Sequence, residues 1–184
     1  MNLPNKLSIF RILLVPVMLI IYYASFWTDA IIFDKYLLLA PVFIIASLTD
    51  FADGYIARKY NMVTVFGKFL DPLADKLIVL AALAVLNDLG VIPIWVTVVI
   101  LSREFIVTGI RLVAVNEGTV IAASNLGKYK TASTMIGLAL VLCKYYYNFL
   151  EIPGLIFVYI GTVLTIVSGV DYFLKNKETL LKSK

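Results

Sequence analysis

The sequence predicts an all-α integral membrane protein, a bundle of six transmembrane helices with a polar cavity facing the cytoplasm. Three observations lead there. Of 184 residues, 61% are hydrophobic and 15% are charged, against roughly 45–50% and 25% in soluble domains. The mean hydropathy of +0.95 excludes a largely disordered chain, because disordered segments are poor in apolar residues. At roughly 20 residues per membrane-crossing helix, six spans use nearly the whole chain, which is expected to form one domain, residues 1–184.

The spans are predicted at about 7–27, 36–57, 71–89, 92–115, 130–149 and 152–174. The first is longer than a signal-peptide core, contains Arg11 and lacks a small-residue cleavage site, so it reads as a retained span. Turn and cap signals separate the others: Thr28-Asp29, Asn61, Asn87-Asp88 with Gly90, Asn116 with Gly118, Asn125 with Gly127, and Pro153-Gly154. With both termini in the cytoplasm, all of the 16 Lys and Arg residues except Lys35 and Lys144 lie nearer that side, which is the positive-inside bias. Lys175, Lys177, Lys182 and Lys184 are placed against anionic headgroups. The net charge of +4 therefore points to the bilayer as partner, and nucleic acid is not expected.

Charge within the spans is more informative than their number. Span 2 is apolar from Tyr36 to Leu48 and polar from Asp50. Span 3 opens with Asp71 and Asp75 and turns apolar at Leu77, whereas span 4 is apolar from Val91 to Leu101 and polar from Arg103. In the assigned topology all three polar halves face the cytoplasm. Ionisable residues at such depth face a bundle interior or a water-filled cavity, so one polar cavity open to the cytoplasm is expected.

What chemistry could it hold? The chain has no histidine, which removes histidine bases, Ser-His triads and His-ligated zinc. Cys143 is the sole cysteine and reads as a buried apolar residue. Carboxylates are left. Asp50, Asp53, Gly54 and Ala57 fall within an arc of roughly 100° on one helix, and Asp71 and Asp75, four apart, share a face of the next. Four uncompensated carboxylates would repel one another and take up protons, and divalent metals relieve this. All-oxygen donors suit Mg2+ or Mn2+, and two such ions roughly 3.5–4 Å apart clamp a phosphate or pyrophosphate. Gly54 and Ala57 leave room for a ligand near the backbone, and Arg58 is placed to neutralise phosphate oxygens. Plainer readings exist: Asp71 before Pro72 as a helix N-cap, Arg58-Lys59 as topogenic charge, Gly54 and Ala57 as packing residues. Asp50 and Asp53 answer to no cap or turn.

Asp50-x-x-Asp53-Gly54-x-x-Ala57-Arg58, eight residues, Gly67-x-x-x-Asp71-x-x-x-Asp75 resembles the signature of the CDP-alcohol phosphotransferases at every defining position and spacing. The resemblance implies a six-helix membrane fold, two divalent metals held by Asp50, Asp53, Asp71 and Asp75, and transfer of a phosphatidyl group from CDP-diacylglycerol to an alcohol with release of CMP. It implies that Asp75 is the general base and that Gly54, Ala57, Arg58 and Gly67 meet the CDP moiety. Pro4-Asn5-Lys6-Leu7-Ser8-Ile9-Phe10-Arg11 resembles the amino-terminal PNxLTxxR element, with Ser8 keeping the usual hydroxyl, which adds Asn5 and Ser8 to the CDP-diacylglycerol-binding residues. A homodimer in the bacterial cytoplasmic membrane is implied as well.

Residues 102–111 and 120–131 resemble the REFxVTGxR and VIAAS…GKxKT segments of the family's bacterial phosphatidylglycerophosphate synthase branch, which implies glycerol 3-phosphate as acceptor. Charge agrees, since this acceptor brings a phosphate that inositol, serine and choline lack. Arg103, Arg111, Lys128 and Lys130 are the cations expected to bind it, and Glu104 is expected to pair with or orient a neighbouring cation. Another acceptor, inositol phosphate or phosphatidylglycerol, is the alternative within the family. A cation transporter is the alternative outside it, but it needs polar residues through to the far side, whereas Leu77–Leu86 and Val91–Leu101 carry no charge.

Overall fold

The structure is a computed structural model that describes residues 2–27, 37–59, 65–116 and 125–182. Within these ranges, the side chains at 4, 25–27, 51–58, 65–66, 68–69, 112–116, 125 and 176–182 are not described. Six helices follow one another: α1 (Leu3–Trp27), α2 (Leu39–Lys59), α3 (Val65–Asp88), α4 (Ile94–Asn116), α5 (Asn125–Leu142) and α6 (Glu151–Lys182). The described residues contain no strand, only short 3-10 turns at Cys143–Tyr145 and Asn148–Leu150. The predicted signals at Thr28-Asp29, Asn61 and Gly118 lie outside the described residues.

Three helices differ most from expectation in their bounds. Helix α3 starts at Val65 rather than near 71, with Pro72 inside it. The ring deletes one backbone hydrogen bond, a loss that neighbouring helices offset in apolar bundles. Asp71 is therefore no N-cap, and its carboxylate accepts a hydrogen bond from Ser8 of α1 instead. Helix α5 spans 125–142 instead of about 130–149. Its end is set by the tight connection to α6, where Lys144 pairs with Glu151 at 2.7 Å and the Tyr146 hydroxyl donates to the Leu37 carbonyl at 2.7 Å. Helix α6 runs on past 174 to Lys182. Its 32 residues amount to roughly 48 Å at 1.5 Å each, more than the ~30 Å hydrocarbon core of a bilayer.

The α3–α4 turn was legible. Gly90 adopts φ +68°, its N–H donates to Asn87 O at 2.9 Å and the Val91 N–H to Leu86 O at 3.0 Å. That is a Schellman motif, which calls for a residue free of Cβ at the left-handed position. Asn87 completes the turn, donating to Ile92 O and accepting from Thr97 Oγ1, both at 2.8 Å.

Polarity is split along the bundle. Met18, Phe43, Ile78, Leu83, Leu86, Val96, Leu138 and Leu142 are fully buried toward one end, where Asp88 and the Lys144–Glu151 pair sit at the helix ends, and most of the described ionisable residues gather at the other. It is also reversed from inside to outside. Large apolar side chains such as Ile20, Ile152, Ile160, Val163 and Phe173 are exposed, whereas Asn5, Ser8, Arg11, Thr162, Thr165 and Ser168 are buried. Among the described residues, Asn5–Ala24 and Asn148–Lys175 are long and apolar enough to cross a membrane, and α2 adds the shorter apolar stretch Leu39–Asp50. This distribution fits a protein associated with a membrane.

Helix α1 packs on α2 and α3, α4 packs on α6, and α5 and α6 make the most extensive pairing. Glycine makes that last pairing possible. A Cβ at Gly137 would lie 2.7 Å from Val158 N, and one at Gly154 would lie 2.7 Å from Val141 N. Backbone cannot move aside as a side chain can. Gly137→Val is expected to cost about 1–3 kcal/mol of stability, read as a lower thermal midpoint of the purified protein; an unchanged midpoint would show that the two helices have room to spare.

Candidate active site

A cavity of about 300 Å3 lies between α2, α3, α4 and α5. Asp50 of α2 and Asp71 and Asp75 of α3 form its acidic wall. Lys76 of α3, Glu104 and Arg111 of α4, and Lys130 of α5 form the other, with Val79, Ile100, Leu101 and Met135 as an apolar lining and Thr131 and Thr134 adding hydroxyls. Residues remote in sequence meet here because each sits on the polar half of its helix.

The acidic wall is held from behind by α1. Ser8 and Arg11, three apart, share a face of that helix. Ser8 donates to Asp71, while the fully buried Arg11 donates Nη1 to Asp50 at 2.7 Å and to Asp75. One guanidinium thus pairs with carboxylates from two different helices. The carboxylates themselves are part-exposed, at 34% for Asp50 and 44% for Asp75, and the cavity is where they meet solvent.

The basic wall is also internally paired. Glu104 takes an ion pair from Lys130 and a longer one, 3.5 Å, from Arg103. Lys76 Nζ donates to Thr108 Oγ1 at 2.8 Å. Arg111 Nε donates to the Tyr172 hydroxyl at 3.3 Å, with the guanidinium carbon 5.5 Å from the ring centroid, a cation–π arrangement that orients the group.

Of the expected residues, Asp50, Asp71, Asp75, Arg111 and Lys130 share the cavity. Glu104 pairs with neighbouring cations as expected. Arg103 does not line the cavity; it lies against Gly169 and acts on the cavity through Glu104. Lys128 is exposed on α5, away from the lining. Asn5 and Gly67 are buried on α1 and α3. Asp53, Gly54, Ala57 and Arg58 continue α2 beyond Asp50, and their side chains lie outside those described. Sequence reasoning gave no role to Arg11 or to Lys76. For Arg11 the signal was an arginine interrupting an apolar run, which demands a partner; for Lys76 it was adjacency to Asp75 at the polar end of α3.

Among the described residues, no three acidic side chains are drawn close enough to hold one metal ion. The donor set nevertheless suits a hard cation, because three carboxylates line one cavity and a buried positive charge already sits between two of them.

Comparison with known proteins agrees with this chemistry. Residues 1–167 match the CDP-alcohol phosphatidyltransferase family. A Bacillus subtilis (strain 168) protein named CDP-diacylglycerol–glycerol-3-phosphate 3-phosphatidyltransferase is 47% identical, across 99% of this chain and 98% of its own length. Proteins of the same name from Haemophilus influenzae and Rickettsia bellii are 37% and 42% identical, covering 98% and 94% of this chain and 96% and 93% of their own.

Proposed function

The chain belongs to the CDP-alcohol phosphatidyltransferase family, and from that premise we propose that it transfers the phosphatidyl group of CDP-diacylglycerol to glycerol 3-phosphate, giving phosphatidylglycerophosphate and CMP. The observation that carries the reading is the cavity that gathers the carboxylates Asp50, Asp71 and Asp75 together with the cations Lys76, Arg111 and Lys130. A pyrophosphate calls for the carboxylates with their metal, and an acceptor phosphate for the cations.

Asp50, Asp53, Asp71 and Asp75 are the residues to hold a pair of divalent ions, Mg2+ or Mn2+, which when bound neutralise charge on the pyrophosphate and the departing CMP. Asn5, Ser8, Gly54, Ala57, Arg58 and Gly67 serve the nucleotide end, Ser8 by steadying Asp71. Arg111 and Lys130, with Lys76, hold the acceptor phosphate, and Arg103 and Glu104 set their position. The primary hydroxyl of glycerol 3-phosphate attacks the lipid-linked β-phosphorus in line. A new O–P bond forms, the bond from that phosphorus to the CMP oxygen breaks, and Asp75 accepts the hydroxyl proton. No covalent enzyme intermediate is required.

In this reading all six helices of a single domain cross the bacterial cytoplasmic membrane, with the cavity and both termini on the cytoplasmic side and the protein a homodimer. The bias of Lys and Arg supports the sidedness, and the long apolar α1 and α6 support the crossing.

An acceptor screen tests the reaction: full-length protein, radiolabelled CDP-diacylglycerol, Mg2+, and CMP release as the readout. Glycerol 3-phosphate is expected to support release, with inositol phosphate and phosphatidylglycerol far behind. Faster release with either would reassign the acceptor, and none with any acceptor would refute the reaction. Excess EDTA is expected to stop release and added Mg2+ to restore it; activity that persists in EDTA would remove the metals from the site.

A further inference from the structure

Arg11 is the residue that the reaction leaves unexplained. Its side chain is fully buried, yet it pairs with Asp50 of α2 and Asp75 of α3, both of which face the cavity. A buried charge is kept only when paired, and stripping its partners or itself leaves an uncompensated charge behind. Without Arg11, the two carboxylates at the α2–α3 junction would lose the positive charge that bridges them. We propose that Arg11 is the built-in counter-cation of the metal site: it holds Asp50 and Asp75 together while the site is metal-free and yields their oxygens when a divalent ion binds, so that its competition sets the metal affinity. This rests on the reading of Asp50 and Asp75 as metal-holding residues.

Two opposite effects of removing Arg11 then follow. The metal-free protein loses stability, because two part-exposed anions lose the cation that bridges them. The metal-bound protein loses less, because the ions supply the missing charge. By linkage, the folded protein must bind metal more tightly than before. A merely structural salt bridge predicts otherwise, with an equal loss in both states and an unchanged affinity.

The test uses full-length wild type, Arg11→Gln and Arg11→Lys in lipid nanodiscs, with Mn2+ as probe. The readouts are Mn2+ dissociation constants from the electron paramagnetic resonance of free Mn2+ and thermal midpoints in EDTA and in saturating Mn2+. Expected for Arg11→Gln is a midpoint several degrees below wild type in EDTA, most of it recovered in Mn2+, with Mn2+ bound several-fold more tightly. Arg11→Lys, which keeps the charge but not the planar guanidinium that carries Nη1 to both carboxylates, falls between. An equal midpoint loss in both conditions with unchanged or weaker Mn2+ binding overturns the proposal and leaves the metal reading intact. If wild type binds no Mn2+, the metal reading and the proposal fall together. If Arg11→Gln does not fold even in Mn2+, Arg11→Lys decides: tighter binding supports the exchange and unchanged binding refutes it.

Discussion

Asp75→Asn is expected to lower turnover by about 10²–10⁴-fold, the range that a positioned general base contributes, while CDP-diacylglycerol still binds. The side chain lines the cavity from the middle of α3, beside the basic wall where the acceptor is placed. Asparagine matches it in volume and can still accept a hydrogen bond from Arg11, whose charge Asp50 continues to balance; it cannot take a proton. The informative measurement is paired, combining single-turnover CMP release with equilibrium binding of the lipid nucleotide. Turnover near wild type would take Asp75 out of the base role. Equal losses in both would make it a binding residue alone.

Arg111→Leu carries the second large effect. Arg111 lines the cavity and is oriented by Tyr172, so its guanidinium is pre-positioned for a phosphate. Loss of a charge-assisted contact worth about 1.5–3 kcal/mol corresponds to roughly a 10- to 150-fold rise in KM for glycerol 3-phosphate. The KM for CDP-diacylglycerol is expected to stay within about twofold. Lys128→Gln serves as the contrast, since Lys128 is exposed and off the lining, and its KM values are expected to move little. A parallel rise in both KM values for Arg111→Leu would show that the basic wall serves no separate acceptor.

The sequence made the chemistry more legible than the packing. Asp50, Asp71 and Asp75 were recoverable because carboxylates at the end of an apolar helix are costly and share helix faces, whereas Arg111 and Lys130 were recoverable from the resemblance of residues 102–111 and 120–131 and from the phosphate of the acceptor. The α3–α4 turn was readable from Gly90 because few residues tolerate its backbone angle. The start of α3 was misplaced because Asp71-Pro72 satisfies every local rule for a helix start. A partner on α1, 63 residues away from Asp71, overrides that rule. Arg11 was matched to the family's amino-terminal element but given no role for the same reason: its partners lie 39 and 64 residues away, and one chain's pattern does not disclose pairings across helices. Arg103 and Arg111 are chemically alike in sequence, yet the first packs beside Gly169 off the lining and the second, bonded to Tyr172, lines the cavity.

Because Glu104 already neutralises Lys130, the basic wall is not an open socket for any alcohol that drifts in. A newcomer must offer Lys130 something better than the carboxylate it holds, and a doubly charged phosphate can do so where an uncharged polyol cannot. Choline, serine or free inositol would gain nothing by breaking that pair, so the cations of the cavity reward the acceptor that carries a phosphate.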